Sequence, residues 1–217
     1  MNDTLVIIGG GSSIKDFDLH KLDNLFTFGL NYVCHFYEPT AIIWIDRNFY
    51  KDNRQMIDNK NSIKITRDSR DVPVNILQLS ASKKYYGSRG LIFGLYHPYL
   101  VGLFALSLGI ALHFKEIYLL GYDGQFLNDK SHFHNIIHRG MQNEVAYLKG
   151  NKYFEAYKDD LTKIYNVSPN SAIHTFPKIT YDEFCKIIDK NAINQQDAKK
   201  WLITQIYDNS KDYTIKT

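Results

Sequence analysis

This sequence predicts an α/β fold, a Rossmann-like, mostly parallel sheet with helices on both faces. Three observations predict it. Leu5–Ile8, Ala41–Ile45 and Glu116–Leu120 are short, nearly continuous apolar runs, the pattern of strands buried on both faces. Segments with helical spacing lie between such runs, so successive strands are joined by crossovers and run parallel. Glycine or polar residues close four of the strands, at Gly9–Ser13, Asn31, Asp46 and Gly121–Asp123. In open α/β sheets ligands bind outside the carboxyl ends of the strands, so these closures are the first place to look for a site.

In chain order, Leu5–Ile8 is the first strand. Gly9-Gly10-Gly11-Ser12-Ser13 follows, a backbone able to turn sharply and approach a ligand closely. A helix starting behind it adds free N–H groups and the positive end of a dipole, which makes phosphate-binding equipment; a plain glycine turn is the other reading. Lys15–Leu22 is a short helix or turn. Leu25–Phe28 is the second strand, closed by Gly29, with Asn31 just beyond. Ala41–Ile45 is the third, ended by Asp46, and Arg47–Ile57 is a surface helix. Ser62–Thr66 and Asn75–Leu79 are two further strands flanking a polar turn at Asp68–Asp71. Ser80–His97 holds Lys83, Lys84, Tyr85, Tyr86 and Arg89 and reads as a mobile loop that reaches the site. Pro98 suits the first turn of a helix, and Tyr99–His113 is apolar almost all round, so that helix is central and buried. Glu116–Leu120 is a buried strand closed by Gly121-Tyr122-Asp123-Gly124. Leu127–Arg139 is a polar loop. Met141–Tyr165 has helical spacing with a break at Gly150-Asn151, Ala172–Phe176 is a last strand, and Tyr181–Lys190 and Asp197–Tyr207 are terminal helices.

Composition bounds the class. The chain has 217 residues, enough for one domain with a real core. Its formal net charge of +3 is too small to mark a nucleic-acid protein or to exclude one. Cys34 and Cys185 stand far apart without metal-ligand spacing and read as reduced thiols of a cytoplasmic protein. No basic segment precedes the first apolar run, so no signal peptide is expected, and the Tyr99–Ala111 stretch is too short to span a bilayer.

The chemistry-bearing residues each admit more than one reading. His132, His134 and His138 fall in one short segment, and imidazole suits a general base at neutral pH. His132-x-His134 also suits a metal, with no third ligand at a diagnostic spacing, and a polar surface loop is the third reading. Asp46 and Asp123 at strand ends either bind a ribose or a divalent ion or cap helices. Tyr122 stacks on a base or sugar, or packs in the core. Lys83, Lys84 and Arg89 meet phosphate or stay solvated. Trp44, inside a buried run, is core.

The order of segments resembles a known family. Val6-Ile7-Ile8-Gly9-Gly10-Gly11-Ser12-Ser13-Ile14, then Asp18-Leu19-His20-Lys21-Leu22 and Phe28-Gly29-Leu30-Asn31, resemble the opening of the bacterial family 42 sialyltransferases. They equally resemble the Maf-like and pterin-pyrophosphokinase-like proteins of domain-of-unknown-function 115. The run from Gly109 to Asp123 is the more specific match. Ser131-His132-Phe133 is similar to the Ser-His-Tyr before the family's catalytic histidine, and Ser168-Pro169-Asn170-Ser171 to its late Pro-Asn-Ser. The resemblance implies a Rossmann-like nucleotide domain and a CMP-sugar donor used without a metal. It matches Asn31 to a nucleotide-contacting asparagine, Ser13 to the serine of a Gly-Asn-Gly-Pro-Ser turn, and Gly102 to the glycine of a Thr-Ser-Gly segment. The chain departs from the pattern at Gly10 (asparagine in the family), Leu100-Val101 (Thr-Ser), Gln125 (near a phosphate-binding tyrosine) and Ile136 (the catalytic histidine). His134 or His138 then has to supply the base, and the resemblance is not expected to extend to most of the family's membrane-associating C-terminal extension.

The resemblance implies a nucleotide-sugar-dependent glycosyltransferase that passes a sugar to a glycan or other hydroxyl acceptor. Residues 1–176 form its nucleotide-binding and catalytic domain, and 177–217 a helical extension of that domain. Gly9, Gly10, Gly11, Ser12, Ser13, Asn31, Asp46, Gly102, Gly121, Tyr122 and Asp123 are expected around the donor, and His132, His134 or His138 at the acceptor. No cofactor beyond the donor is required. The alternatives are diphosphate transfer from ATP with Mg²⁺ held by Asp46 and Asp123, and a nucleotide-binding module without catalysis. A nucleic-acid acceptor and a homo-oligomer are both compatible with the sequence.

Overall fold

The computed structural model describes residues 3–67, 73, 75–98, 100–135, 144–158, 160–188 and 192–210. Expectations placed on Asp68–Asp71, Tyr99, Ile136, His138, Arg139 and Met141 lie outside these residues. The strands are β1 (Thr4–Ile8), β2 (Thr27–Leu30), β3 (Ala41–Trp44), β4 (Ile63–Arg67), β5 (Leu77–Leu79), β6 (Ala81–Ser82), β7 (Leu95–Tyr96), β8 (Glu116–Leu120) and β9 (Lys163–Asn166). The α-helices are α1 (Arg47–Asp58), α2 (Gly90–Phe93), α3 (Val101–Ala111), α4 (Glu144–Asn151), α5 (Tyr181–Ile188) and α6 (Gln195–Asn209).

Seven strands form one sheet in the order β5-β4-β3-β2-β1-β8-β9, and every neighbouring pair is parallel. The chain winds outward from β1 to β5 and then returns to lay β8 along β1, from Thr4↔Glu116 to Ile8↔Leu120. That reversal makes the β1/β8 junction the topological switch point, where two adjacent connections leave in opposite directions and a crevice opens.

Helices cover both faces, as the apolar runs require. Leu5, Ile7, Phe28, Ile43, Ile117 and Leu119 point to one face and pack with α3 and with Leu202 and Ile206 of α6. Val6, Ile8, Tyr118 and Leu120 point to the other and meet Phe184 and Ile188 of α5. Farther along that face Ile42 and Trp44 meet Phe49, Tyr50 and Ile57 of α1. Trp44 is thus core. All of α3 except Val101 is buried, which is why its sequence shows no polar stripe.

Several boundaries differ from the expectation, each for a physical reason. β2 begins two residues late and runs through Gly29 instead of stopping there, because Ile7↔Phe28 and Ile8↔Gly29 set its register. The Pro39 ring fills the space a Cβ on Gly29 would take, at 2.7 Å. The Ser80–His97 segment is no loop: β6 and β7 pair in parallel, with α2 between them. Tyr85 pins it, its ring against Tyr96 and Tyr157 and its hydroxyl donating to Asp160 at 2.5 Å. Pro98 precedes the helix, which starts at Val101. The helical spacing over Met141–Tyr165 misleads, since α4 ends at Asn151 and Ile164 and Tyr165 belong to β9. There Tyr165 stacks on Tyr118 of the neighbouring strand. Ala172–Phe176 is not a strand; Ile173 and Phe176 fill the core without sheet pairing. No helix among the described residues is long and apolar enough to cross a membrane.

α5 and α6 bury fully enclosed side chains on opposite faces of the sheet, so these two helices are expected to unfold with the rest. Truncating Phe184, which is fully buried, is expected to cost about 3–5 kcal/mol. In urea, Phe184→Ala should lower the midpoint of a single transition seen equally by far-UV and aromatic signals.

Candidate functional site

The site is built outward from the β1/β8 junction. The Gly9 N–H donates to the Leu120 carbonyl at 2.7 Å and the Gly11 N–H to the Gly121 carbonyl at 2.9 Å. A Cβ on Gly9 would lie 2.6 Å from the Gly121 oxygen, and one on Gly11 2.5 Å from it. These glycines therefore let two backbones touch. Gly121 has φ +70°, a left-handed conformation suited to glycine. Behind the junction Asp123 is 3% exposed. Its Oδ2 accepts the Ser13 N–H at 2.9 Å and its Oδ1 the Ser168 hydroxyl at 3.1 Å. The Tyr181 hydroxyl of α5 donates to the Ser13 carbonyl at 2.6 Å.

At the Gly9–Ser13 turn, where the sequence leads one to expect a phosphate cradle, three of the backbone N–H groups are already engaged. The N–H groups of Gly9, Gly11 and Ser13 are committed to β8 and the turn after it. The helix behind them is a three-residue 3₁₀ turn, Ser12–Ile14, which builds no appreciable dipole. Ser12 instead donates to the Lys130 carbonyl at 3.1 Å, and neither serine lines the cleft described next.

A cleft of about 820 Å³ opens over the strand ends. Among the expected residues, Gly9, Gly10, Gly11, Asn31, Asp46, Gly102, Gly121, Tyr122, Asp123, His132 and His134 line it. Asn31 closes β2 at φ +47°, a conformation asparagine tolerates. The Cys34 thiol, itself pushed up to about 12 by burial, donates to the Asn31 carbonyl at 3.0 Å. The Asn31 side-chain Oδ1 is buried and has no hydrogen-bond partner. Asp46 accepts the Asn48 N–H at 2.8 Å and so caps α1. The Tyr122 ring lines the cleft. It packs edge-on against Phe154 and its hydroxyl, raised by burial, donates to the Gly102 carbonyl at 3.3 Å. Gly102 is the glycine that leaves room for it, since a Cβ there would lie 2.9 Å from the ring. Gln125 donates to the Asn170 carbonyl. Among the described residues no three His, Cys, Asp or Glu side chains are grouped to hold a metal ion.

The histidine segment is docked on the glycine turn. The Phe133 N–H donates to the Gly10 carbonyl at 3.0 Å. A Cβ on Gly10 would lie 2.8 Å from His132 Cδ2, so the position that departs from the resembled family holds an imidazole over bare backbone. His132 Nδ1 shares a 2.8 Å hydrogen bond with the Ser131 hydroxyl. His134 stands 5.2 Å from His132, stacked on Phe36 and beside Tyr32. His138 lies outside the described residues.

Sequence reasoning missed Arg67 and His97, which also line the cleft. Arg67 is the last residue of β4 and its Nε–H donates to the Ile45 carbonyl at 3.0 Å. The strand-end rule that singled out Asp46 applies to it equally once β4 is extended by one residue. His97 follows β7, inside the segment taken as a loop. Burial pushes its imidazole below the usual value, the Arg67 charge adds to that, and a backbone hydrogen bond at Leu100 opposes it.

No protein-family model matches this chain, and no curated protein matches it. Among solved structures it is similar to the sialyltransferase CstII from Campylobacter jejuni, in complex with a substrate analogue, cytidine-5'-monophosphate. The identity is 18%, the match covers 83% of this chain and 85% of that one, and the TM-score is 0.51. The likeness is one of fold, the mostly parallel α/β architecture.

Two outcomes follow from this geometry. Gly11→Ala meets backbone and should cost about 1–3 kcal/mol in urea unfolding, whereas Gly10→Ala meets a movable ring and should cost less while displacing His132. Because the folded state holds His97 below its unfolded pKa, the unfolded chain binds the extra proton, and stability present above about pH 6.5 is lost as pH falls. The melting-temperature drop between pH 7.5 and 5.5 should therefore be smaller in His97→Gln than in the wild type.

Proposed function

We propose that the protein is a nucleotide-sugar-dependent glycosyltransferase with a CMP-like donor and a histidine base. The observation that carries this reading is the Asn31 carboxamide oxygen, buried without a partner in a cleft at the topological switch point. A buried acceptor left unpaired costs about 1–3 kcal/mol, which a donor group of a base or ribose relieves on binding. The fold shared with a protein solved in complex with cytidine-5'-monophosphate supports a cytidine nucleotide as the first ligand to try.

In the reaction the acceptor oxygen bonds to the anomeric carbon while the bond from that carbon to the donor phosphate breaks, its electron pair leaving with the phosphate. In place of His134 or His138, to which the resemblance points, the acceptor's proton is assigned to His132, which lines the cleft and whose Nδ1 is held by Ser131. His134 faces the aromatic cluster with Tyr32 and Phe36 and is assigned to the walls of the acceptor side.

Thermal-shift measurements with CMP, UDP, GDP and ATP, each with and without Mg²⁺, test the donor. CMP at about 100 times its Kd should stabilise the fold by about 2.7 kcal/mol without added metal, and Asn31→Ala should abolish that shift. A shift produced by ATP with Mg²⁺ and by no cytidine nucleotide would contradict the reading. His132→Ala should keep the CMP shift and lower transfer by about 10²–10⁴-fold; full turnover in that variant would remove His132 from the role.

A further inference from the structure

The glycine turn leaves a charge unanswered. A nucleotide in the cleft carries a phosphate, yet the N–H groups of Gly9, Gly11 and Ser13 are already bonded within the protein. The cleft is also lined by Asp46, Asp52 and Asp123, whose charges oppose an anion. Arg47 lines it too and has an interaction of its own.

Arg67 is different. Its Nε–H is fixed on the Ile45 carbonyl at 3.0 Å, which orients the guanidinium and leaves the terminal nitrogens toward no carboxylate among the described residues. His97 lines the same cleft, and its Nδ1 is sealed from solvent without a hydrogen-bond partner. The Arg67 charge reaches the His97 ring. A cation held by a backbone carbonyl and a histidine with an unpartnered ring nitrogen thus line the same cleft, near enough for the Arg67 charge to act on the ring. Asn31 closes β2 and Arg67 closes β4, with β3 between them. Two strand spacings separate them, about 10 Å, a span that a nucleotide or nucleotide-linked sugar lying across the strand ends can bridge.

We propose that Arg67 and His97 form an oxyanion subsite at the β4 end of the cleft, which takes either the phosphate of the nucleotide or the carboxylate of an acidic sugar. The guanidinium supplies charge-assisted hydrogen bonds, and the His97 ring supplies a donor that becomes cationic when the anion is present. The subsite deepens the glycosyltransferase reading, and the identity of its ligand rests on that reading.

Calorimetric titration of the full chain with cytidine, CMP, inorganic phosphate and D-glucuronate tests it, on the wild type, Arg67→Gln, Arg67→Lys and His97→Gln. Arg67→Gln is expected to weaken binding of the anionic probe about tenfold or more, with cytidine unchanged and Arg67→Lys in between. A loss for CMP and phosphate identifies the nucleotide phosphate as the source, and a loss for glucuronate alone identifies a sugar carboxylate. The wild type gives a check that needs no variant. The His97 ring pKa, followed by NMR, should rise when the anion binds, against the background of Arg47, Asp46 and Asp52 of the α1 region and Asp123 after β8. Equal anion affinity in wild type and both glutamine variants, or a His97 pKa that no probe moves, overturns the subsite. If cytidine and CMP fail to bind while phosphate or glucuronate binds through Arg67, the subsite stands and the nucleotide reading falls.

Discussion

Two turns that meet backbone to backbone, after β1 and after β8, set the rest of this structure. Their contact is possible only because Gly9 and Gly11 face the Gly121 carbonyl with no side chain between. Parallel pairing of β1 with β8 brings the turns together, and the glycines let the connections leave to opposite sides. A crevice at the switch point is the consequence. The same contact closes off Asp123, which ties the turn to Ser13 and Ser168, and through the Ser13 carbonyl to Tyr181 of α5. Gly10, between the two contact glycines, is left to receive His132.

The polar groups of the site divide into two sets. Under the β8 turn the side chains of Asp123, Asn166, Ser168 and Ser171 are hydrogen-bonded from within. Asn166 donates to the Tyr122 carbonyl and to Ser171 and accepts the Ser168 N–H, while Ser171 donates to the Tyr122 and Asp123 carbonyls. A buried network of this kind holds its members in place. The Ser168–Ser171 stretch, which resembles a family motif, is thus scaffold in this chain. On the cleft side the balance is different. Asn31 and His97 each carry a buried atom with no partner. Unpaired groups of this kind cost stability, and here both belong to residues that line the cleft.

Much of this was legible in the sequence. The apolar runs Leu5–Ile8, Ala41–Ile45 and Glu116–Leu120 located three central strands within a residue, because parallel strands buried on both faces need continuous apolar side chains. The strand-end rule found Asn31, Asp46 and the Gly121 turn. It did not reveal which backbone the glycines meet. A glycine that admits a phosphate and one that admits another backbone read alike until the partner strand is known, and β8 lies more than a hundred residues from β1. β9 was hidden for a related reason: Ile164 and Tyr165 continue the helical spacing of the preceding segment, and only pairing with β8 makes them a strand. Arg67 and His97 escaped because their roles depend on where two short strands end, the least legible feature of any sequence.

The central claim is that a nucleotide lies across the strand ends on either side of the β1/β8 junction. It is tested most directly by titrating uniformly ¹⁵N-labelled protein with CMP and following assigned amide resonances. The account predicts saturable shifts at Gly10, Asn31 and Gly102 with one common Kd, while Glu116 and its β9 partner Lys163, at the opposite end of the sheet, stay fixed. Unmoved cleft amides at saturating CMP, or shifts centred away from the strand ends, would contradict it.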